Sequence, residues 1–159
     1  MIPTARDLME THVIAVNSEA SLLDVYRLFV EEEISGAPVV DDLGTLVGVV
    51  TSTDLLRATE EEHDSAVVET DYLRRELPYT TPDWAALPGD FQDRLRERRV
   101  SEVMTPRVVT VPPEASAPEI ARTLRQSRIH RVFVISDSRL VGIVSSFDIL
   151  RLVEDWKEL

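Results

Sequence analysis

The stretch Leu46-Val-Gly-Val-Val-Thr-Ser-Thr-Asp-Leu-Leu-Arg57 decides the fold, because it returns as Leu140-Val-Gly-Ile-Val-Ser-Ser-Phe-Asp-Ile-Leu-Arg151. The correspondence extends backwards along the chain until Ala5–Met9 aligns with Val100–Met104. Only one residue has to be skipped, in a loop, over roughly fifty aligned positions. A match of this length at a fixed offset indicates an internal duplication.

Both copies predict the same order of elements. A β-branched run is followed by a helix whose first turn carries a capping box, Ser21-x-x-Asp24 or Ser116-x-x-Glu119. Two apolar strands joined by a polar turn come next, and a last helix opens at Thr51 or Ser145. The predicted strands are residues 13–16, 37–40 and 46–50 in the first copy, and 108–111, 132–135 and 140–144 in the second.

The predicted fold class is therefore α/β (α+β), with a duplicated β-α-β-β-α unit. One such unit is too small to bury its own sheet. We expect the two copies to pack sheet to sheet about a pseudo-two-fold axis, which would create two related clefts.

The predicted domains are repeat 1 (1–59), an inserted and partly helical linker (60–99) and repeat 2 (100–159). The insert is too long for a structureless loop. Residues 64–77 are a candidate helix, and Asp90 is a candidate cap for a second helix from Phe91 to Arg99. Two interpretations stay open, an insertion docked on the core and a lid or partner contact.

Composition excludes several classes of function. The 159 residues carry a formal net charge of −12, which disfavours binding to nucleic acid. No apolar run approaches the roughly 20 residues of a membrane helix, and no signal-peptide pattern is seen at the N-terminus. There is no cysteine. We expect a cytoplasmic protein that binds neither nucleic acid nor membrane.

The repeated motif Gly-x-x-Thr/Ser-x-x-Asp has two interpretations. Thr51 with Asp54, and Ser145 with Asp148, form capping boxes whatever else they do. A carboxylate at a helix N-terminus is badly placed to hold phosphate, but it can accept hydrogen bonds from a vicinal diol such as that of ribose. The motif is thus a candidate ribose site.

The segments at the start of the second strand of each copy differ in charge. The first is Ile34-Ser35-Gly36, which is small and neutral, and the second is Ile129-His130-Arg131, which is cationic. Arg131 offers a planar fork suited to phosphate, and His130 can donate a hydrogen bond or carry charge. The alternative is an ordinary solvated strand start.

On the basis of these motifs, the chain resembles a tandem pair of cystathionine-β-synthase (CBS) domains, a Bateman module. The resemblance covers about residues 5–59 and 100–156 and rests on the repeated Gly-x-x-Thr/Ser-x-x-Asp element, the Pro38–Asp41 strand, the Glu-Ala-Ser helix starts and Met104-Thr105-Pro106. Phe133 stands where the family usually has proline.

The resemblance implies an adenosine-containing ligand, commonly AMP, ADP or ATP, in clefts that mix the two copies. Carried over, one cleft joins Thr51 and Asp54 to Val109, Ile129, His130 and Arg131. The other joins Ser145 and Asp148 to Ile14, Ile34, Ser35 and Gly36. Adenine would lie against Val109 and Ile129, with phosphate near His130 and Arg131, whereas the second cleft would be empty or take a less charged ligand.

The expected function is a non-catalytic, energy-sensing regulatory module with no obligatory cofactor and no metal. No phosphate-binding glycine loop or histidine metal spacing is present in the sequence. The expected partners are the adenosine-containing ligand, a second copy of the chain and an effector protein of unknown identity. The alternative is a dimerisation or protein-interaction scaffold that binds no nucleotide, with Trp156 as an anchor.

Overall fold

The computed structural model describes residues 1–60 and 89–156. Its helices are α1 (Ala5–Leu8), α2 (Leu22–Glu31), α3 (Ser52–Glu60), α4 (Gly89–Glu97), α5 (Val100–Val103), α6 (Ala117–Ser127) and α7 (Ser146–Glu154). Its strands are β1 (Val16–Asn17), β2 (Gly36–Val40), β3 (Leu46–Thr51), β4 (Thr110–Val111), β5 (Arg131–Ser136) and β6 (Arg139–Ser145). The predicted β-α-β-β-α order is confirmed in both copies. The candidate helix 64–77 lies outside the described residues.

The strands form two three-stranded sheets, in the orders β1-β2-β3 and β4-β5-β6. The central strand pairs in parallel with the short first strand in each sheet, with Val16 opposite Val39 and Thr110 opposite Phe133. β5 and β6 are antiparallel and are joined through Asp137 and Ser138, both with positive φ, as a tight hairpin turn requires. Three consecutive residues of each central strand are buried, as expected for a strand covered on both faces.

The described chain divides into two compact units that do not follow the repeats end to end. The first-sheet unit comprises Ala15–Asp42 and Val47–Pro106. The second-sheet unit comprises Met1–Ile14, Leu43–Leu46 and Arg107–Leu159. The leading segment of each repeat, α1 or α5, therefore belongs to the unit built on the sheet of the other repeat.

Backbone hydrogen bonds hold α1 in the second-sheet unit. Ala5 N–H donates to Ala115 O at 2.8 Å, and Glu10 and Ile143 exchange N–H···O bonds of 2.9 and 3.0 Å. Glu10 thus extends the edge of β6 by one bridge. The sequence alignment equated α1 with α5 but predicted neither helix.

The same bonds recur around α5 in the first-sheet unit. Val100 N–H donates to Ala20 O at 2.9 Å, and Val49 and Thr105 exchange two bonds of 2.9 Å at the edge of β3. Each leading segment therefore makes two kinds of backbone hydrogen bond. One is to the residue just before a capped helix (Ala115 or Ala20), and the other is to the edge strand of a sheet. Without the leading segment, water would have to bond these backbone groups.

Helix α4 completes the core of the first-sheet unit. Phe91 and Leu95 are 3% and 0% exposed and belong to the same apolar cluster as Leu22, Phe29 and Leu55. The ring of Phe91 meets that of Tyr26 edge to face, with centroids 6.5 Å apart. This end of the predicted insert is docked on the core.

The sequence placed the start and end of this helix wrongly. Asp90 lies within the first turn instead of capping it, where its charge still complements the helix dipole. The helix stops at Glu97 because the next residues take other bonds. Arg98 O accepts from Leu22 N–H, and Arg99 bridges to Ser21.

Candidate functional site

Each repeated Thr/Ser-x-x-Asp motif forms a complete capping box in the structure. At α3, Thr51 N–H and Oγ1 donate to Asp54 Oδ2 at 2.8 and 3.1 Å, and Asp54 N–H donates back to Oγ1 at 3.4 Å. At α7, Ser145 and Asp148 repeat these bonds at 2.8, 3.0 and 3.4 Å. The structural interpretation of the motif is correct at both positions.

The capping boxes leave part of each carboxylate available. All the bonds run through Oδ2, and in the described ranges 1–60 and 89–156 no bond to Oδ1 of Asp54 or Asp148 is seen. Asp54 is buried, at 8% exposure, whereas Asp148 is half-buried. A carboxylate oxygen that accepts nothing inside the protein can accept from a ligand hydroxyl, so the capping role and a ribose role are compatible.

In the first-sheet unit the strand-start segment lies directly beside its capping box. Ser35 O accepts from Ser52 N–H at 2.9 Å. Gly36 faces Thr51, since a Cβ on Gly36 would stand 3.5 Å from Thr51 Cγ2. Ile34 is half-buried against the apolar cluster of this unit. The structure thus brings Ile34, Ser35, Gly36, Thr51 and Asp54 together.

The second-sheet unit repeats this arrangement with cationic residues. His130 O accepts from Ser146 N–H at 2.8 Å, and Arg131 is the register partner of Ser145 across β5 and β6. His130 and Arg131 are both exposed, and Ile129 packs against the apolar cluster of this unit. The backbones of His130 and Arg131 therefore lie beside the capping box of Asp148.

The remaining two predicted residues precede the first strands. Val109 is 36% exposed, and its carbonyl accepts from Phe133 N–H at 3.4 Å, which places it next to β5 in the second-sheet unit. Ile14 is half-buried just ahead of β1 and belongs to the second-sheet unit, although β1 belongs to the other.

Further features of the described chain bear on other classes of site. Within residues 1–60 and 89–156 there is no group of three or more histidine, cysteine, aspartate or glutamate residues placed to hold a metal ion. Over the same residues, none of the helices has the length and apolar character needed to cross a membrane.

The repeats and their two capping boxes match a known family. The family model of the CBS domain matches residues 5–61 and 100–155. The chain belongs to the CBS domain family. The resemblance seen in the sequence is confirmed, and it covers most of both repeats.

Two sequence relatives show how much of a longer or similar-sized protein the chain covers. Protein MJ1426 of Methanocaldococcus jannaschii is 30% identical over 151 residues, which are 91% of this chain and 88% of that protein. The chain spans only 43% of another relative, protein MJ1225 of the same organism, at 28% identity over 95% of this chain.

Two crystal structures illustrate the likeness of fold. The CBS domain of a CBS domain-containing membrane protein from Sphaerobacter thermophilus has a TM-score of 0.69 at 35% identity, over 94% of this chain and 86% of that one. CBSX2 in complex with AMP has a TM-score of 0.68 at 26% identity, over 98% of this chain and 99% of that one. The duplicated CBS architecture is thereby confirmed.

Sequence reasoning named Trp156 but missed the exposed apolar residues of α7 that precede it. Phe147, Leu150 and Val153 are exposed on α7, and Trp156, which is also exposed, lies two residues beyond the end of this helix. The repeat alignment held the signal, because Phe147 and Val153 replace Thr53 and Thr59 of the first copy.

Proposed function

We propose that the chain is a non-catalytic regulatory module that binds an adenosine-containing ligand, AMP, ADP or ATP, and acts as a homodimer on an effector protein of unknown identity. Membership of the CBS domain family supports the regulatory role. The structure of CBSX2 with AMP, at 26% identity over nearly the whole chain, supports the class of ligand.

The observation that carries the proposal is the state of the two capping carboxylates. Asp54 and Asp148 each hold a helix start through Oδ2 and keep Oδ1 available. In this proposal Oδ1 accepts from the 2′- and 3′-hydroxyls of a ribose, which a carboxylate does well because both hydroxyls are donors. The helix cap fixes the carboxylate in place before the ligand arrives, so little side-chain entropy is lost on binding.

The segments that precede β5 and β2 differ in charge, and we assign them different roles for that reason. His130 and Arg131 would bind phosphate, through a fork of guanidinium donors and an imidazole. Ser35 and Gly36, at the matching positions, bring no charge. Val109 and Ile129 would flank the adenine. We expect one site that prefers a phosphorylated nucleoside, and a second site, with Ile14, Ile34, Ser35 and Gly36, that is empty or takes a less charged ligand.

Calorimetric titration of AMP, ADP and ATP into Asp54→Ala and Asp148→Ala tests the ribose assignment. We expect at least tenfold weaker binding when the responsible carboxylate is lost. Glu119→Ala is the matched control, because Glu119 forms the same capping box on α6 without being a candidate ligand residue. Unchanged affinity in both aspartate variants would refute the assignment.

A double-mutant cycle decides which aspartate shares a ligand with the cations. Arg131→Ala is combined with Asp54→Ala and, separately, with Asp148→Ala, and AMP binding is measured for each. Two residues that hold one ligand molecule give non-additive losses, whereas residues of separate sites give additive ones. The resemblance to the family predicts coupling between Arg131 and Asp54.

A ligand-free interaction scaffold is the second candidate, and the exposed apolar residues of α7 favour it. A thermal-shift screen of AMP, ADP, ATP, NAD and S-adenosylmethionine separates the two functions. A ligand at 100 times its Kd adds about 2.7 kcal/mol to the free energy of unfolding. A chain that no compound stabilises would be assigned to the scaffold class.

A further inference from the structure

Met9 and Met104 occupy equivalent places in the two repeats, directly after α1 and α5. Sδ, Cγ and Cβ of Met9 lie 2.5, 2.8 and 2.9 Å from the position that a Cβ would take on Gly142. Sδ and Cγ of Met104 lie 2.8 and 3.2 Å from the matching position on Gly48. Each thioether therefore packs directly on glycine backbone, in space that any other strand residue would fill with its own side chain.

The sulfur of this chain is confined to methionine, since there are three methionines and no cysteine. Met1 is fully exposed. Met9 and Met104 are half-buried, and each packs against the apolar cluster of its unit. A small oxidant can reach a half-buried thioether, and oxidation turns this apolar group into a polar sulfoxide. At Met9 and Met104 an oxidant can thus reach the sulfur, and its product would disturb packing.

We propose that Met9 and Met104 are paired oxidation sites, at which hydrogen peroxide loosens the leading segments from the edges of the sheets. A lone pair of the sulfur attacks one peroxide oxygen, so that an S–O bond forms and the O–O bond breaks. The other oxygen takes up the proton of the transferred oxygen and departs as water. The sulfur is oxidised by two electrons, the peroxide is reduced, and the product is methionine sulfoxide.

The N–H groups of the residues that follow the two glycines are already bonded. Ile143 N–H donates to Glu10 O at 3.0 Å, and Val49 N–H donates to Thr105 O at 2.9 Å. A sulfoxide oxygen that stays in place has to compete for these donors, because a buried acceptor without a donor costs free energy. One that turns to water draws the side chain off the glycine. Either route weakens the bridge between the leading segment and the strand.

The strand that carries each glycine also carries part of the candidate ligand site. On β3 and β6 the glycine lies three residues before the residue that caps the next helix, Thr51 or Ser145. A strand whose edge has opened holds that cap less firmly. Oxidation should therefore lower the affinity for an adenosine-containing ligand. This effect on affinity rests on the proposed function, whereas the loosening of the leading segments does not.

Peroxide treatment of the whole chain, followed by peptide mass mapping and thermal melts, tests the inference. The oxidised parent chain should melt several degrees lower than the reduced chain. The Met9→Leu/Met104→Leu double variant is the control, because leucine is close to methionine in volume and Met1 is then the only methionine left. Its melting temperature should not respond to peroxide although Met1 is oxidised. An equal fall in both chains, or a parent chain that melts unchanged with Met9 and Met104 oxidised, would overturn the inference.

Enzymatic reduction provides a second measurement that needs no variant. Methionine sulfoxide reductases that act on both sulfoxide epimers should return the melting temperature of the oxidised parent chain to its starting value. If mass mapping shows the thioethers restored while the melting temperature stays low, a change at another residue caused the loss and the two methionines are not responsible.

Hydrogen exchange shows where the oxidised chain opens. The amides of Ile143 and Val49 should exchange roughly tenfold faster after oxidation, because their bonds to the leading segments open locally. The amide of Ile120, which donates to Ser116 O within the second-sheet unit, should change much less. Equal acceleration at all three amides would mean that oxidation destabilises the whole chain, and it would contradict a specific effect on the leading segments.

AMP titration of the reduced and the oxidised chain separates this inference from the proposed function. Oxidation should weaken AMP binding by roughly fivefold or more. A reduced chain that does not bind AMP contradicts the proposed function, whereas the melts and the exchange rates still decide the oxidation sites. Unchanged AMP affinity in a chain whose Ile143 and Val49 amides have opened would overturn the link between the leading segments and the ligand site.

Discussion

The sulfur of Met9 lies 2.5 Å from the position that a Cβ atom would take on Gly142, so the two residues leave no room for a side chain between them. Met104 and Gly48 repeat the relationship at 2.8 Å, where Thr105 O is also 2.8 Å away. The glycine of each repeated motif is therefore required by the leading segment that packs on its strand. This explains the glycine without any appeal to a ligand.

Alanine at these glycines should destabilise the fold. We expect Gly48→Ala and Gly142→Ala each to lower the free energy of unfolding by about 1–3 kcal/mol, as overpacking does. Thermal melts should show a loss of several degrees. Gly36→Ala is the control and should be much milder, since its nearest atoms would be at an ordinary 3.5 Å.

Double variants distinguish the two glycines. The three nearest atoms at Gly142 are Sδ, Cγ and Cβ of Met9, and Met9→Ala removes the first two but keeps Cβ at 2.9 Å, so it should restore part of the stability lost in Gly142→Ala. At Gly48 the backbone carbonyl of Thr105 also blocks the space, and it is held by its bridge to Val49. Met104→Ala should therefore restore little in Gly48→Ala, and full recovery there would show that the carbonyl moves freely.

Helix α4 should behave as part of the core. Leu95→Ala should lower the free energy of unfolding by about 2–5 kcal/mol, and Phe91→Ala by about 3–5 kcal/mol, because both side chains are buried against α2 and α3. Arg96→Ala, which removes only an exposed ion pair with Asp93, should cost at most about 1 kcal/mol. Urea denaturation measures all three. Equal midpoints for Leu95→Ala and Arg96→Ala would mean that α4 is not docked in solution.

The capping box of α6 should make stability depend on pH in the acid range. Hydrogen bonds from the backbone N–H and then the hydroxyl of Ser116 lower the pKa of Glu119. A carboxyl with a lowered folded pKa contributes its full stability above its unfolded pKa, and loses it as the pH falls through the folded pKa.

Melting curves of the parent chain and Glu119→Gln from pH 7 to pH 2 measure this contribution. The parent chain should melt higher at pH 7, and the gap should close as the pH falls below about 4. Glu31→Gln, an exposed substitution on α2, is the control for the removal of one negative charge from a helix. A gap that stays constant with pH would mean that the charge of Glu119 is irrelevant to the cap.

The phosphate assignment predicts a ligand-dependent loss. Arg131→Ala should weaken AMP by roughly 10–100-fold, corresponding to about 1.5–3 kcal/mol for a hydrogen bond to a charged group, and leave adenosine unchanged. Calorimetry with the two ligands measures the difference. Arg122→Ala, an exposed arginine on α6, is the control. Equal losses for adenosine and AMP would place Arg131 away from the phosphate.

The repeat explains why so much of the fold could be predicted. Each strand and helix of the unit could be predicted from two different sequences, one in each repeat. The caps at Ser21, Ser116, Thr51 and Ser145 mark the helix starts independently of hydrophobicity. The helices α1 and α5 were missed because four residues carry no periodicity, and their stability comes from contacts with Ala115 and Ala20 that are distant in sequence.

The candidate site was predictable only in part. The capping geometry of Asp54 and Asp148 followed from the spacing of the motif. The exposure of Phe147, Leu150 and Val153 on α7 could not be predicted from the spacing, because an apolar residue on an amphipathic helix is equally typical of a core position. Phe147 would be buried only if another helix packed on it, as α4 packs on the first repeat. The sequence of α7 itself does not indicate whether such a helix is present.

The division into units has a consequence for the order in which the protein is made. The first-sheet unit is complete once Pro106 has been synthesised, whereas Met1–Ile14, which are made before this unit, belong with Arg107–Leu159, which are made after it. Met1–Ile14 must therefore wait until the first-sheet unit has been made, so the order of folding during synthesis does not simply follow the order of the chain. A repeat cut out of the chain would leave behind, in the other repeat, the segment that closes its own sheet.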